Sequence, residues 1–122
     1  MEDIRQQQIE AIEELKNYNK KLVKAVREII IELKGEDRPD TEDFLKQIVE
    51  GINWEIQVVN GTLDYINEDE NLLDKEQFNQ AVLNHNEAIN TKDDTKLAES
   101  FEVNILPYLL KLEEIAEKKL NN

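Results

Sequence analysis

Apolar residues recur along this chain at intervals of three and four, the spacing of one face of an α-helix. Four stretches carry the pattern. In the first, Ile12, Leu15, Leu22, Val26, Ile29 and Leu33 form a seam with Asn19 set in it. The spacing predicts a helix over about residues 2–34, closed by Gly35 in a left-handed cap and followed by a loop Glu36–Asp40 with Pro39. The first eleven residues, Gln6-Gln7-Gln8 among them, are poor in apolar side chains, so this end is expected to fray or project.

The second stretch, residues 41–67, starts at an Asp40 or Thr41 cap, with Glu42 and Asp43 at the positive end of the helix dipole. On a wheel at about 100° per residue it carries two apolar stripes. One is Leu45, Ile48, Val49, Ile52, Ile56, Val59, Leu63 and Ile66; nearly opposite lie Trp54, Val58 and Tyr65, with Gly61 between the last two. A surface helix of a small monomer needs one stripe. The second stripe therefore predicts a contact with something else. Gly51 and Gly61 each cost roughly 1 kcal/mol relative to Ala, and the usual reason to hold a mid-helix Gly is close approach by another backbone. A break at Asn60-Gly61 is the alternative.

Asp74 marks the start of the third helix, with Gln77 as capping-box partner and Leu73 with Phe78 as hydrophobic staple. This helix covers residues 74–90 and buries Phe78, Ala81, Val82, His85 and Ile89. The fourth runs over residues 94–120 from an Asp93 or Asp94 cap, with the seam Ala98, Phe101, Ile105, Tyr108, Leu112 and Ile115. Pro107 removes the bond to the Val103 carbonyl and predicts a kink there. Val103, Leu106 and Leu110 lie on the far side from that seam, which makes this helix two-sided as well.

Short connections make neighbouring helices antiparallel. The prediction is a single all-α domain over residues 1–122, an antiparallel up-down four-helix bundle with a short third helix. At 1.5 Å per residue the third helix spans ~24 Å, against ~50 Å for the first and ~40 Å for the second and fourth. Its neighbours should thus keep uncovered apolar surface, a second reason to expect a partner.

Composition sharpens this picture. Net charge is −13, and residues 36–76 hold thirteen acids against three bases, with no base between Lys46 and Lys75. Such a field repels phosphate backbones and anionic lipid surfaces, so neither nucleic acid nor membrane is an expected partner. The chain has no Cys, its longest apolar run is Ile105–Leu110, and Met1-Glu2-Asp3 is unlike a signal peptide, so the cytoplasm is the expected location. Twelve Lys against three Arg suggest an AT-rich bacterial genome.

Candidate chemistry is sparse. His85, the only histidine, falls on the apolar face of the third helix, and a di-metal carboxylate bundle needs two Glu-x-x-His pairs where this chain has none. A hydrogen-bonded core histidine is the expectation. Asn67, Asp69 and Asn71 match the start of an EF-hand loop, but Leu72 and Phe78 stand where Gly and the bidentate Glu are needed. Lys16, Lys20, Lys24 and Arg27 form a basic stripe that folding would set against the acidic second helix, Lys20 near Glu55 and Lys24 near Glu50. Thr62, Tyr65, Tyr108 and the lone Ser100 have no recognisable base and orienter in sequence. No catalytic residue, metal or cofactor is therefore assigned, and no enzyme activity is expected.

The stretch Lys92-Asp93-Asp94, then Leu97-Ala98-Glu99, then Ile105-Leu106-Pro107-Tyr108-Leu109-Leu110 resembles the C-terminal helix of small, uncharacterised helical-bundle proteins of low-GC Gram-positive bacteria. That resemblance implies a bundle fold and a bacterial source, and transfers no site residue.

Together these features predict a non-enzymatic interaction bundle. Its partner would be a second copy of itself or another protein's amphipathic helix, laid into the gap beside the short third helix as by an adaptor or chaperone. The expected interface is Trp54, Val58, Gly61, Tyr65, Val103, Leu106 and Leu110. The alternative is a bundle that holds a small molecule or metal in a core pocket.

Overall fold

A computed structural model describes residues 2–35 and 38–120. Helix α1 spans Glu2–Leu33, α2 Thr41–Ile66 and α3 Lys75–Asn90. The fourth helix is one continuous rod in three parts: α4 (Asp94–Ser100), a π-helical turn (Phe101–Ile105) and α5 (Leu106–Leu120). Among the described residues there is no strand. The molecule is the expected up-down four-helix bundle. Of the expected loop, Glu36 and Asp37 lie outside the described residues, as do Met1, Asn121 and Asn122.

The start signals of α3 and α4 work as their residue types dictate. The Asp74 carboxylate accepts from the amides of Glu76 and Gln77, and the Asp93 carboxylate from those of Thr95 and Lys96. Leu73 and Phe78 are both buried, completing the staple. Thr41 is used differently. It is buried, donates to Glu32 Oε1 at 2.7 Å and accepts from the Arg38 amide at 2.8 Å, tying the entry of α2 to the exit of α1.

Helix α1 is the central strut. It lies closely against α2 on one side and against α4 and α5 on the other, while α3 leans on α4 and the π turn. Between α2 and α3 the backbones make almost no close approach. The seam predicted for α1 is buried throughout, and Asn19 within it donates Nδ2–H to the Leu109 carbonyl at 2.7 Å. One apolar cluster gathers Leu22, Val26, Ile29, Ile48 and Phe101; another gathers Ile12, Leu15, Val59, Ile66, Phe78 and Leu112. Each such side chain contributes about 1.5–3 kcal/mol when fully buried.

Three expectations need correction. Pro107 has no N–H to give the Val103 carbonyl, and the strain is taken up one turn earlier: the turn widens so that the Leu106 amide bonds to the Phe101 carbonyl. The irregularity thus falls at Phe101–Ile105 rather than at Pro107, and it rotates Leu109, not Tyr108, into the core. Second, the chain itself fills part of the space beyond the short α3. Asn67 donates to the Leu73 carbonyl and accepts from the Leu73 amide, each at 3.0 Å, so the 67–73 loop folds inward and Leu73 is 3% exposed. Third, Lys20 does not meet Glu55. Lys20 is exposed, and among the described residues the ion pairs are Arg5–Glu68, Lys34–Glu102 and Lys118–Glu70. Glu55 points the other way, into the core.

Candidate functional site

The core face of α2 is Ile48, Ile52, Glu55, Val59, Thr62 and Ile66, all buried, at alternating spacings of four and three. Two polar residues stand in that row. Thr62 satisfies its hydroxyl within the helix by donating to the Val58 carbonyl at 2.7 Å. Glu55 is 2% exposed, and neither carboxyl oxygen has a hydrogen-bond partner. Burial pushes its carboxyl up to about 8, so at neutral pH it is mostly the neutral acid.

His85 enters the same interior from α3. Its Nδ1 lies 2.7 Å from Ser100 Oγ, Asn104 Nδ2 donates to that oxygen at 2.9 Å, and the imidazole stands edge-on to Phe101. Burial lowers its pKa to about 4, which keeps the ring neutral. Nε2 is buried without a partner. A hydrolytic triad would hold that nitrogen with an acid, and none is bonded to it here.

Two small cavities lie between α2 and α3. One, about 20 Å³, is bordered by Glu55; the other, about 60 Å³, by His85. Ile52, Ile56, Val82 and Ile105 line both, so the two cavities adjoin across aliphatic side chains in the cleft between α2, α3 and the fourth helix. Exposed Asn53, Asn86 and Ile89 surround the His85 end and form its mouth. A larger hollow of about 480 Å³ beside Leu72, Pro107 and Tyr108 is an open surface trough. Among the described residues no cluster of three or more His, Cys, Asp and Glu could hold a metal ion, and no helix is long and apolar enough to cross a membrane.

The residues expected at an interface are dispersed. Trp54 is half-buried and edge-on to Tyr18 of α1, with ring centroids 5.4 Å apart. Val58 is half-buried against the core, and Gly61 is exposed with open space above it. Tyr65 is 6% exposed, its ring covered by Arg5 at 4.6 Å and Lys119 at 4.3 Å. The second stripe of α2 thus faces largely toward α1 and the bundle end, and the chain itself buries Tyr65. Outward exposure holds for the fourth helix: Val103 is 67% and Leu110 41% exposed, with Leu106 half-buried between them.

Glu55 was missed by the sequence reading, although a signal was present. The series 48, 52, 55, 59, 62, 66 is an uninterrupted heptad-like row, and reading the stripe only through apolar residues skipped its two polar members. A family profile described as "Domain of unknown function (DUF8042)" matches residues 10–115, which takes in every residue of the cleft. No curated protein and no solved structure matches the chain.

Proposed function

The chain belongs to the DUF8042 family, and we propose that it acts by docking protein rather than by catalysis, most simply as a pair of identical chains. The observation that carries this reading is the outer face of the fourth helix, where Val103 and Leu110 stand in water on either side of Leu106. Laid antiparallel on a copy of itself about a two-fold axis between Leu106 and Pro107, this helix sets Val103 against Leu110 of the copy. The same register sets Glu102 against Lys111 of the copy. Both contacts then occur twice, as an isologous interface requires. Glu102 and Lys111 are exposed, and in the pair Glu102 would exchange its intrachain partner Lys34 for Lys111 of the copy. Trp54, Val58 and Tyr65 support α1 in this reading, and Gly61 lies outside the contact. The resemblance of the C-terminal helix and the excess of Lys over Arg support a bacterial source.

Light scattering on a gel-filtered sample tests the proposal. A mass of twice 14.3 kDa is expected for the parent and the single-chain mass for Leu110→Lys. Lys111→Glu should weaken the pair, and adding Glu102→Lys should restore it. A parent that stays a monomer at hundred-micromolar concentration would overturn the self-pair.

A further inference from the structure

The outer edge of the α1–α2 seam carries a corner of two aromatic rings. On α2, Gln47, Glu50, Gly51 and Trp54 fall at i, i+3, i+4 and i+7 and so share one face of the helix. Tyr18 reaches this face from α1. Its hydroxyl lies over the bare backbone of Gly51, where a Cβ would come within 2.2 Å of it. The Tyr18 ring thereby stands beside Trp54, and the two rings meet at 70° with centroids 5.4 Å apart. Both stay partly in solvent, Tyr18 at 36% exposure and Trp54 half-buried. Together with Gln47, Glu50 and Gly51 they line an open hollow of about 410 Å³. Glu50 is exposed and belongs to none of the ion pairs among the described residues, although Lys21 stands one turn along α1 from Tyr18.

These side chains converge on one ligand chemistry. The face of an aromatic ring carries negative charge density and attracts a cation, Trp most strongly. A carboxylate in the same hollow adds a full negative charge, and the excess of acids over residues 36–76 draws cations toward this helix. A primary ammonium gives up strong hydrogen bonds to water when it lies against a ring, whereas a quaternary ammonium has no N–H to leave unsatisfied. An anion would be repelled by Glu50, and an uncharged guest would gain nothing from it. We propose that this corner binds a small, free quaternary ammonium compound of the choline type, its trimethylammonium head against the Tyr18 and Trp54 rings and beside Glu50. The site uses α1 and α2 alone, so it stands or falls independently of pairing through the fourth helix.

The probe is choline chloride, titrated at pH 7 with sodium chloride lowered to hold the ionic strength, and read by emission from Trp54, the only tryptophan. A saturable change at millimolar choline is expected. 3,3-Dimethylbutan-1-ol copies the shape of choline without its charge and should bind at least tenfold more weakly. Tyr18→Leu keeps the reporter and should weaken choline several-fold; Glu50→Gln should weaken it by about threefold. Circular dichroism confirms that both variants fold. Emission that ignores choline, or answers the neutral alcohol equally, overturns the proposal. So does choline binding that Tyr18→Leu leaves unchanged, which would place the cation elsewhere on the acidic surface. Phosphocholine should bind more weakly than choline, because its phosphate meets the same acidic field; tighter binding would assign the site to a lipid headgroup and overturn the free solute.

Discussion

Helix α2 meets its two neighbours in opposite ways. Against α1 the seam is closed and its polar side chains each make a bond: Thr41 to Glu32, Arg5 to Glu68 through two contacts of 2.9 and 2.5 Å, and Asn19 through Nδ2, although its Oδ1 is unpartnered. Tyr18 lies so close over Gly51 that a Cβ there would sit 2.2 Å from its hydroxyl oxygen. Against α3 the backbones stay apart, and the seam contains Glu55 and His85 with unpartnered atoms and small cavities beside them. Both seams bury a glutamate, and only one of them gives it a partner. A bundle that needed α3 only for stability would close the second seam as it closes the first. The difference leaves α2–α3 as the less completely satisfied of the two seams.

The largest effect should come from cutting the anchor of the open seam. Phe78 is 4% exposed and stands edge-on to Tyr108 at 4.7 Å. Phe78→Ala should cost about 3–5 kcal/mol in urea unfolding, with α3 amides losing exchange protection first. Equal loss of protection in α1 would mean that the two seams open together.

Acidity should separate the two titrating groups. Glu55 has its value raised to about 8, so the stability it lends is full below about 4.5 and is lost as pH rises to about 8. His85 is lowered to about 4, so its contribution is present above about 6.5 and is lost as pH falls toward 4. Each slope is roughly 1 kcal/mol per pH unit, and they oppose one another between about 4.5 and 6.5. For these two groups the expectation is a plateau there and a decline from 6.5 to 8. Glu55→Gln should flatten the alkaline decline and leave the acid limb in place.

The same substitution should act with opposite sign on the two seams. Glu55→Leu removes an unpartnered carboxyl and should stabilise the fold by about 1–3 kcal/mol at pH 8, whereas Glu32→Leu strands the Thr41 hydroxyl and should cost a similar amount. Two losses of equal size would erase the contrast. Smallest are the glycines. Gly61→Ala meets nothing within 4 Å and should gain about 1 kcal/mol of helix propensity. Gly51→Ala gains the same propensity but displaces the Tyr18 ring, for a net change near zero and a shift in Trp54 fluorescence.

Periodicity and caps made the bundle legible. The α1 seam, the Asp74 cap with its staple and the Asp93 cap all follow from residue type and spacing within one or two turns. Features that depend on contacts distant in sequence were not legible. Asn67 reads as a loop residue until Leu73 folds onto it, and Tyr65 reads as exposed until Arg5 and Lys119 arrive from opposite ends of the chain. The π turn is a response to Pro107 that local pattern reports only as a kink. Glu55 is the instructive case: its position in the row at 48, 52, 55 and 59 placed it in the core, while its charge argued for the surface. Position prevailed, because the five other core residues of that row fix the helix rotation and one side chain cannot reverse it.

The measurement that tests this account most directly is a ¹³C titration of the Glu55 carboxyl in the parent protein. The account predicts a midpoint near 8, reporting a carboxyl held without a partner in the open seam. A midpoint at the ordinary carboxylate value near 4.5 would mean that Glu55 is solvated or paired, and the contrast between the two seams would be gone.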